Sequence, residues 1–286
     1  MVEISEKTTQ INGLNAHFWE AGENHPRTLL LIHGGIGDAR LHWELAISAL
    51  AEDYHVLAPD LPGFGKSDLL PKMQTEAMIQ WIKNFLDNQE IEQAVVIGNS
   101  MGALLVRLFA ASNPKYVPAV ILVNGGGVPD LPPAFRILER IPGVSQGLFY
   151  LFGKTATSAN TLKDMIHAKE EVLTDSFVEQ AKNAASGYAR LMRMFVGSPM
   201  PKARAPLVPT LILWGANDKV APLKEGEAIK SSIPGATLTE IADCGHMPQL
   251  ETMDVFVWQV NMFLEKLSRP TQPNRPGAGI LPNLSG

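Results

Sequence analysis

The sequence predicts an α/β fold, with a mostly parallel sheet carrying helices on both of its faces. Three observations lead there: short, continuously apolar runs that suit strands buried on both sides, amphipathic stretches that suit helices, and regular alternation of the two. Thr8–Ile11 and Leu14–Glu20 read as two opening strands joined by a hairpin turn at Asn12-Gly13. Thr28–Ile32 is an unbroken apolar strand that ends at His33-Gly34-Gly35. A helix candidate at Trp43–Leu50 precedes the strand His55–Ala58, which closes in the turn Asp60–Gly65. Ile79–Leu86 is amphipathic and helical. The strand Ala94–Ile97 runs directly into Gly98–Gly102 and the apolar helix Ala103–Ala111, followed by the strand Ala119–Val123. The rhythm resumes at the strands Thr210–Trp214 and Ala236–Ile241 and finishes in a helix at Val255–Leu267.

Between those two blocks, Val128–Ala205 has helix-like segments broken by Pro132-Pro133, Pro142-Gly143 and Gly153, and no buried-strand pattern. The organisation expected is therefore a core of residues 1–127 and 206–268, an inserted helical cap of residues 128–205, and a disordered tail of residues 269–286. The tail is rich in proline and glycine with little to pack.

Composition narrows the function classes. With 24 Lys+Arg against 29 Asp+Glu and no long basic run, the chain lacks the charge needed to neutralise phosphates, so no nucleic-acid partner is expected. No apolar run approaches the roughly 20 residues that span a bilayer, and Met1–Gln10 lacks the layout of a secretory signal. One cysteine, Cys244, supports neither a disulfide nor a cysteine-based zinc site. The expectation is a cytoplasmic monomer or homodimer, without membrane contact, metal or cofactor, acting on a small molecule.

The chemistry concentrates in Gly98-Asn99-Ser100-Met101-Gly102, set between a buried strand and a helix. A nucleophile on such a sharp turn needs small neighbours, and the helix that starts there offers free backbone N–H groups. A serine hydroxyl is a poor nucleophile unless a base takes its proton and a carboxylate holds that base's tautomer. Asp218 follows one late strand and His246 follows the next, at strand ends where open α/β sheets place their sites. Asp243 is nearer to His246 in sequence but suits a loop-organising role. The oxyanion of acyl transfer needs two N–H donors: Met101 supplies one, and Gly35 is best placed for the second, with Gly34 or Ile36 as alternatives. His33 suits a side chain that packs under this turn and hydrogen-bonds backbone. Gly65-Lys66-Ser67 imitates the end of a phosphate-binding loop, but Asp60 stands where that loop needs a glycine.

Together, His33-Gly34-Gly35, Asp60–Gly65 with Ser67, Gly98–Gly102, Asp218 and Gly245-His246 resemble the α/β-hydrolase superfamily in order and spacing. The resemblance implies an eight-stranded, mostly parallel sheet with a cap inserted after the sixth strand, and a triad in the order serine, aspartate, histidine. Serine at the elbow separates the chain from relatives that carry aspartate there. His33-Gly34-Gly35 and Gly98–Gly102 are similar to the carbon–carbon hydrolases of meta-cleavage products. Those enzymes usually carry tryptophan directly after the histidine and a cap arginine that grips a dienol carboxylate. Met247 holds the tryptophan position, while Arg190 and Arg193 are the cap candidates. The expectation is accordingly a carboxylesterase for small to medium apolar acyl esters, with carbon–carbon or lactone hydrolysis as the alternative enzymes and a hydrolase-like ligand-binding protein as the non-enzyme alternative. Phe135, Phe149, Met192, Phe195 and Met247 are the expected substrate contacts.

Overall fold

The computed structural model describes residues 2–128, 141, 143–167, 169–201 and 205–268. Eight strands form one sheet: β1 (Ser5–Ile11), β2 (Leu14–Ala21), β3 (Thr28–Ile32), β4 (His55–Pro59), β5 (Ala94–Asn99), β6 (Val120–Val123), β7 (Thr210–Gly215) and β8 (Thr237–Ile241). Their spatial order is β1-β2-β4-β3-β5-β6-β7-β8. β2 is antiparallel to both β1 and β4, and every other neighbouring pair is parallel. The opening hairpin turns at Asn12 and Gly13, both at positive φ, as a tight two-residue turn requires. From β3 the chain crosses to β4 on one side, then returns to β5 on the other. That reversal opens a crevice at the carboxyl ends of β3 and β5.

The core is divided by the alternation of side chains along the strands. Leu30, Ile32, Val96, Leu122 and Ile212 face α2 (Thr75–Asn88), α3 (Met101–Ser112) and α8 (Leu223–Ser232). Leu29, Leu31, Val95, Ile97, Ile121 and Leu213 face α1 (Ala39–Leu50) and α10 (Met253–Ser268). Helix α1 starts four residues before the sequence-based boundary because the Asp38 side chain accepts the Leu41 N–H at 2.9 Å and caps it. Pro248 opens the short α9 (Pro248–Glu251), just ahead of α10.

Between β6 and β7 the described residues form α4 (Val144–Ala156), α5 (Ala159–Met165), a 3-10 turn (Glu170–Val172), α6 (Asp175–Asn183) and α7 (Ala185–Gly197). Phe149, Leu191, Met192, Met194 and Phe195 from these helices are buried in the same cluster as α3. Phe135 and the tail from 269 lie outside the described residues. No helix among the described residues is long and apolar enough to cross a membrane.

Candidate active site

Because β3 and β5 to β8 run parallel, the residues that follow them converge on one edge of the sheet. Ser100 sits between β5 and α3 at φ 56 and ψ −121, a strained conformation for a non-glycine residue. The strain is held from both sides: the Ser100 N–H donates to Val123 O at 2.9 Å, and α3 follows immediately. The flanking glycines are there for space, since a Cβ on Gly98 would overlap Gly102 O and one on Gly102 would overlap the carbonyl oxygens of Ile32 and His33.

Asp218 follows β7. Its Oδ1 accepts the N–H groups of Val220 (2.8 Å) and Ala221 (2.9 Å), and its Oδ2 accepts Asn124 Nδ2 (2.6 Å) and His246 Nδ1 (2.7 Å). Burial pushes this carboxyl's pKa up, but the charge and hydrogen bond of His246, with the Ala221 and Asn124 donors, outweigh it and hold the pKa below its ordinary value. Asn124, at φ 44, also donates to Gly245 O and accepts the Gly215 N–H, each at 3.2 Å, so one amide ties three strand-end loops together.

His246 follows β8 in a loop fixed at every peptide. Its N–H donates to Met165 O at 2.8 Å, and its carbonyl accepts Asn99 Nδ2 at 3.2 Å. The buried Glu251 carboxylate accepts the N–H groups of Gly245 (3.0 Å) and Met247 (3.1 Å) on either side. Facing a carboxylate, Nδ1 carries the proton of a neutral ring, which leaves Nε2 as the basic nitrogen. Nε2 is buried and has no hydrogen-bond partner among the described residues. Asp243 is exposed, at φ 50, outside this constellation.

The turn after β3 is held by two histidines. His33 Nδ1 donates to Gly34 O at 2.6 Å while its Nε2 accepts the Leu61 N–H at 2.8 Å, the backbone-supporting role expected of it. Burial drives the His33 pKa below its ordinary value. Since Gly34 O and the Gly35 N–H belong to one trans peptide, the bond from His33 sets the direction of that N–H. Gly35 is closely covered by side chains: a Cβ there would displace Met101 Cε and come within 2.6 Å of the Tyr188 ring from α7. The Gly34 N–H is directed to His42 Nδ1 at 3.5 Å.

Ser100 and His246 line one cavity of about 660 Å³ with Asn124, the glycines 125–127 and, at the α3–α8 side, Arg107, Glu225 and Ser232. The expected substrate contacts are distributed otherwise. Phe149 borders a separate cavity of about 900 Å³ that also holds Arg190 and Arg193. Met192 and Phe195 pack in the core beside α3, and Met247 is enclosed by Ile36, Leu41, Met165 and Phe177. Apolar residues at helical spacing mark a buried stripe, and here that stripe holds helices together instead of lining the Ser100 cavity. Asn124, His42, Glu251 and Arg107 were not singled out in the sequence. Asn124 alone had a signal, its place directly after a buried strand. No group of His, Cys, Asp and Glu suited to a metal ion occurs among the described residues.

Comparisons with known proteins agree with this architecture. A 2-hydroxy-6-oxo-6-phenylhexa-2,4-dienoate hydrolase from Burkholderia cepacia is 27% identical, with 90% of this chain and 96% of that protein aligned. A 2-hydroxy-6-oxononadienedioate/2-hydroxy-6-oxononatrienedioate hydrolase from Pseudomonas putida is 28% identical over 88% of this chain and 92% of its own. Among solved structures, a thermophilic esterase from Thermogutta terrifontis superposes with a TM-score of 0.76 at 23% identity, covering 93% of this chain and all 100% of the esterase. The 2-hydroxy-6-oxo-6-phenylhexa-2,4-dienoate hydrolase of a Rhodococcus species gives 0.73 at 22% identity, over 93% and 100%. The sequence profile described as alpha/beta hydrolase fold matches residues 27–252, and the chain belongs to that family.

Proposed function

We propose that this protein is a serine hydrolase that cleaves the carbon–carbon bond beside the 6-oxo group of 2-hydroxy-6-oxo-dienoates. The observation that carries this reading is Arg107, which borders the same cavity as Ser100 and His246. Seven residues along α3 from the nucleophile amount to roughly 10 Å of helix, comparable with the span of a six-carbon acid once the side chain reaches back. The guanidinium is braced by Nη1 to Gly126 O at 2.8 Å and Nη2 to Ser232 Oγ at 2.9 Å. A guanidinium bordering the Ser100 cavity suits a substrate that carries a carboxylate, as a dienoate does and a neutral ester does not. The substrate class named for the Burkholderia and Pseudomonas relatives supports the same reading.

In this mechanism Ser100 Oγ adds to the 6-oxo carbon as His246 Nε2 takes its proton, and the oxyanion is met by the N–H groups of Gly35 and Met101. For the electron pair to have an acceptor, the dienol first tautomerises to its 2,6-dioxo form, the 2-hydroxyl proton moving to C5. Collapse of the serine adduct then breaks the C5–C6 bond, the pair delocalises through C3=C4 onto the 2-oxo oxygen as a dienolate, and the His246 imidazolium returns a proton to that fragment. Water, deprotonated by His246, then releases the acyl group from Ser100 as a carboxylic acid. Asp218 keeps the imidazole in the tautomer that both steps need. The helices α4 to α7 serve as a cap, bringing Tyr188 onto the oxyanion turn.

Met247 favours a second reading, ester hydrolysis by the same triad, because it stands directly after His246 where dienolate hydrolases usually carry tryptophan. One comparison separates the two. Arg107→Gln should lower kcat/KM for a dienolate by about ten- to a hundredfold, the worth of a charge-assisted hydrogen bond, and change a neutral short-chain ester only a few-fold. Glu225→Gln should raise dienolate affinity by relieving repulsion. Faster wild-type turnover of esters, with Arg107→Gln indifferent on both substrates, would establish the esterase instead.

A further inference from the structure

His42 belongs to α1, nine residues beyond His33 and on a different element from every group of the mechanism above. It is only 1% exposed. Its Nδ1 accepts the Gly34 N–H at 3.5 Å, and its Nε2 donates to Ile36 O at 2.5 Å. Those two contacts fall on either side of Gly35. They also fix the ring's tautomer, because a carbonyl can only accept and an N–H can only donate. The imidazole lies close to the nucleophile as well: a Cβ placed on Gly34 would be 3.1 Å from both His42 Cε1 and Ser100 Cβ.

We infer that His42 is a positioning residue, a neutral imidazole that spans Gly34 and Ile36 and thereby aims the Gly35 N–H at the oxyanion formed on Ser100. The inference rests on the proposed serine mechanism. His33 fixes the Gly34–Gly35 peptide through Gly34 O, and His42 holds from α1 the peptide just before it, through the Gly34 N–H, and the Ile36–Gly37 peptide two further on, through Ile36 O. A turn with two glycines in succession has wide conformational freedom, and an oxyanion donor misdirected by a fraction of an ångström loses much of its effect. Burial and the neighbouring His33 depress the pKa of His42 to about 3, so the clamp stays uncharged at any pH near neutrality. Asp60, Asp38 and His246 are the other titrating groups around the two histidines, and none of them supplies His42 with a carboxylate hydrogen bond.

The test uses the full chain and a fluorophosphonate probe, whose phosphoryl oxygen occupies the oxyanion position whatever the natural substrate is. His42→Phe keeps an aromatic ring but removes both bonds; His42→Gln can make one of them. Loss of one oxyanion donor typically costs about a hundred- to a thousandfold in kcat. A misaimed donor should cost less, so His42→Phe should slow probe labelling and kcat by about ten- to a hundredfold with KM nearly constant. His42→Gln should recover part of the loss, and the deficit of both variants should be the same from pH 6 to 9. Unchanged labelling and kcat in either folded variant would overturn the assignment, as would a loss confined to KM or one that varies with pH. If His42→Phe does not fold, His42→Gln decides alone, with about three- to tenfold slower labelling expected for a half-held turn. Failure of the wild-type protein to label at Ser100 would remove the serine mechanism itself, which is a different outcome from equal labelling of wild type and variant.

Discussion

Asp218 divides its two oxygens between two tasks, one facing its own loop through Val220 and Ala221, the other facing His246 and Asn124. Replacing the acid by its amide therefore disturbs orientation more than volume. Asp218→Asn should reduce kcat by about 10⁴, because the amide no longer selects the Nδ1-protonated tautomer of His246. Ser100→Ala should abolish turnover and probe labelling with circular dichroism and the unfolding midpoint essentially retained. Substantial residual activity in that variant would move the nucleophile elsewhere. Asn124→Ala should produce a smaller loss in kcat than Asp218→Asn, since Asp218 keeps its other donors, and a steady-state comparison of the two variants checks that order. The placement of Ser100, Asp218 and His246 at one edge of the sheet was legible in the sequence because each follows a strand closely. Asn124, His42 and Glu251 were not legible in that way. Their partners lie 94, 8 and 6 residues away respectively, in directions only the folded sheet defines.

At the scale of elements, the site depends on how closely α3 crosses β3 and β5. Gly102 sits where the helix meets the backbone of Ile32 and His33, with no room for a methyl group and no flexible side chain to yield. Gly102→Ala should destabilise the fold by about 1–3 kcal/mol, the usual cost of overpacking, and should reduce activity further by displacing Met101 N–H from Ser100. A denaturant midpoint equal to that of the wild type would show that the crossing is looser than it looks. Strands were the easiest elements to read, since Leu29–Ile32, Val95–Ile97 and Ile121–Val123 are buried on both faces and so apolar without interruption. Helix starts were harder: α2 begins at Thr75, ahead of the apolar positions that reveal it, because its first turn opens on a buried threonine and an exposed Glu76 with no side-chain cap to mark it. Hardest was the use made of the apolar residues of α4 and α7. Phe149, Met192 and Phe195 follow the helical period that packing requires, and that period is the same whether the neighbour is a substrate or another helix.

For the molecule as a whole, the two histidines of the oxyanion turn make stability depend on pH in a window that can be isolated. Both are buried with pKa values held below the ordinary 6.5, His42 at about 3. Unfolding at pH 6 or below therefore takes up protons that the native state excludes, and stability must fall as pH falls below 6.5, by up to about 1.4 kcal/mol per pH unit for each histidine. Other shifted groups act outside this window. His17, buried between Asp60 and Glu6, is desolvated but has its pKa raised by those carboxylates, so its contribution is complete below 6.5 and is lost only as pH rises through its folded value. Glu20, Asp60 and Asp218 have lowered pKa values, so their contributions are complete above their ordinary values near 4 and are lost only in stronger acid. Between about pH 6.5 and 4.5 the slope from these groups thus belongs to His33 and His42. Urea midpoints measured at half-unit steps should decline through this range for the wild type, and His42→Gln, which has no proton to exclude at that position, should decline less steeply. A wild-type midpoint that stays level from pH 7 to 5 would mean that the histidines beneath the oxyanion turn protonate without unfolding it, and that the turn is not clamped by neutral rings.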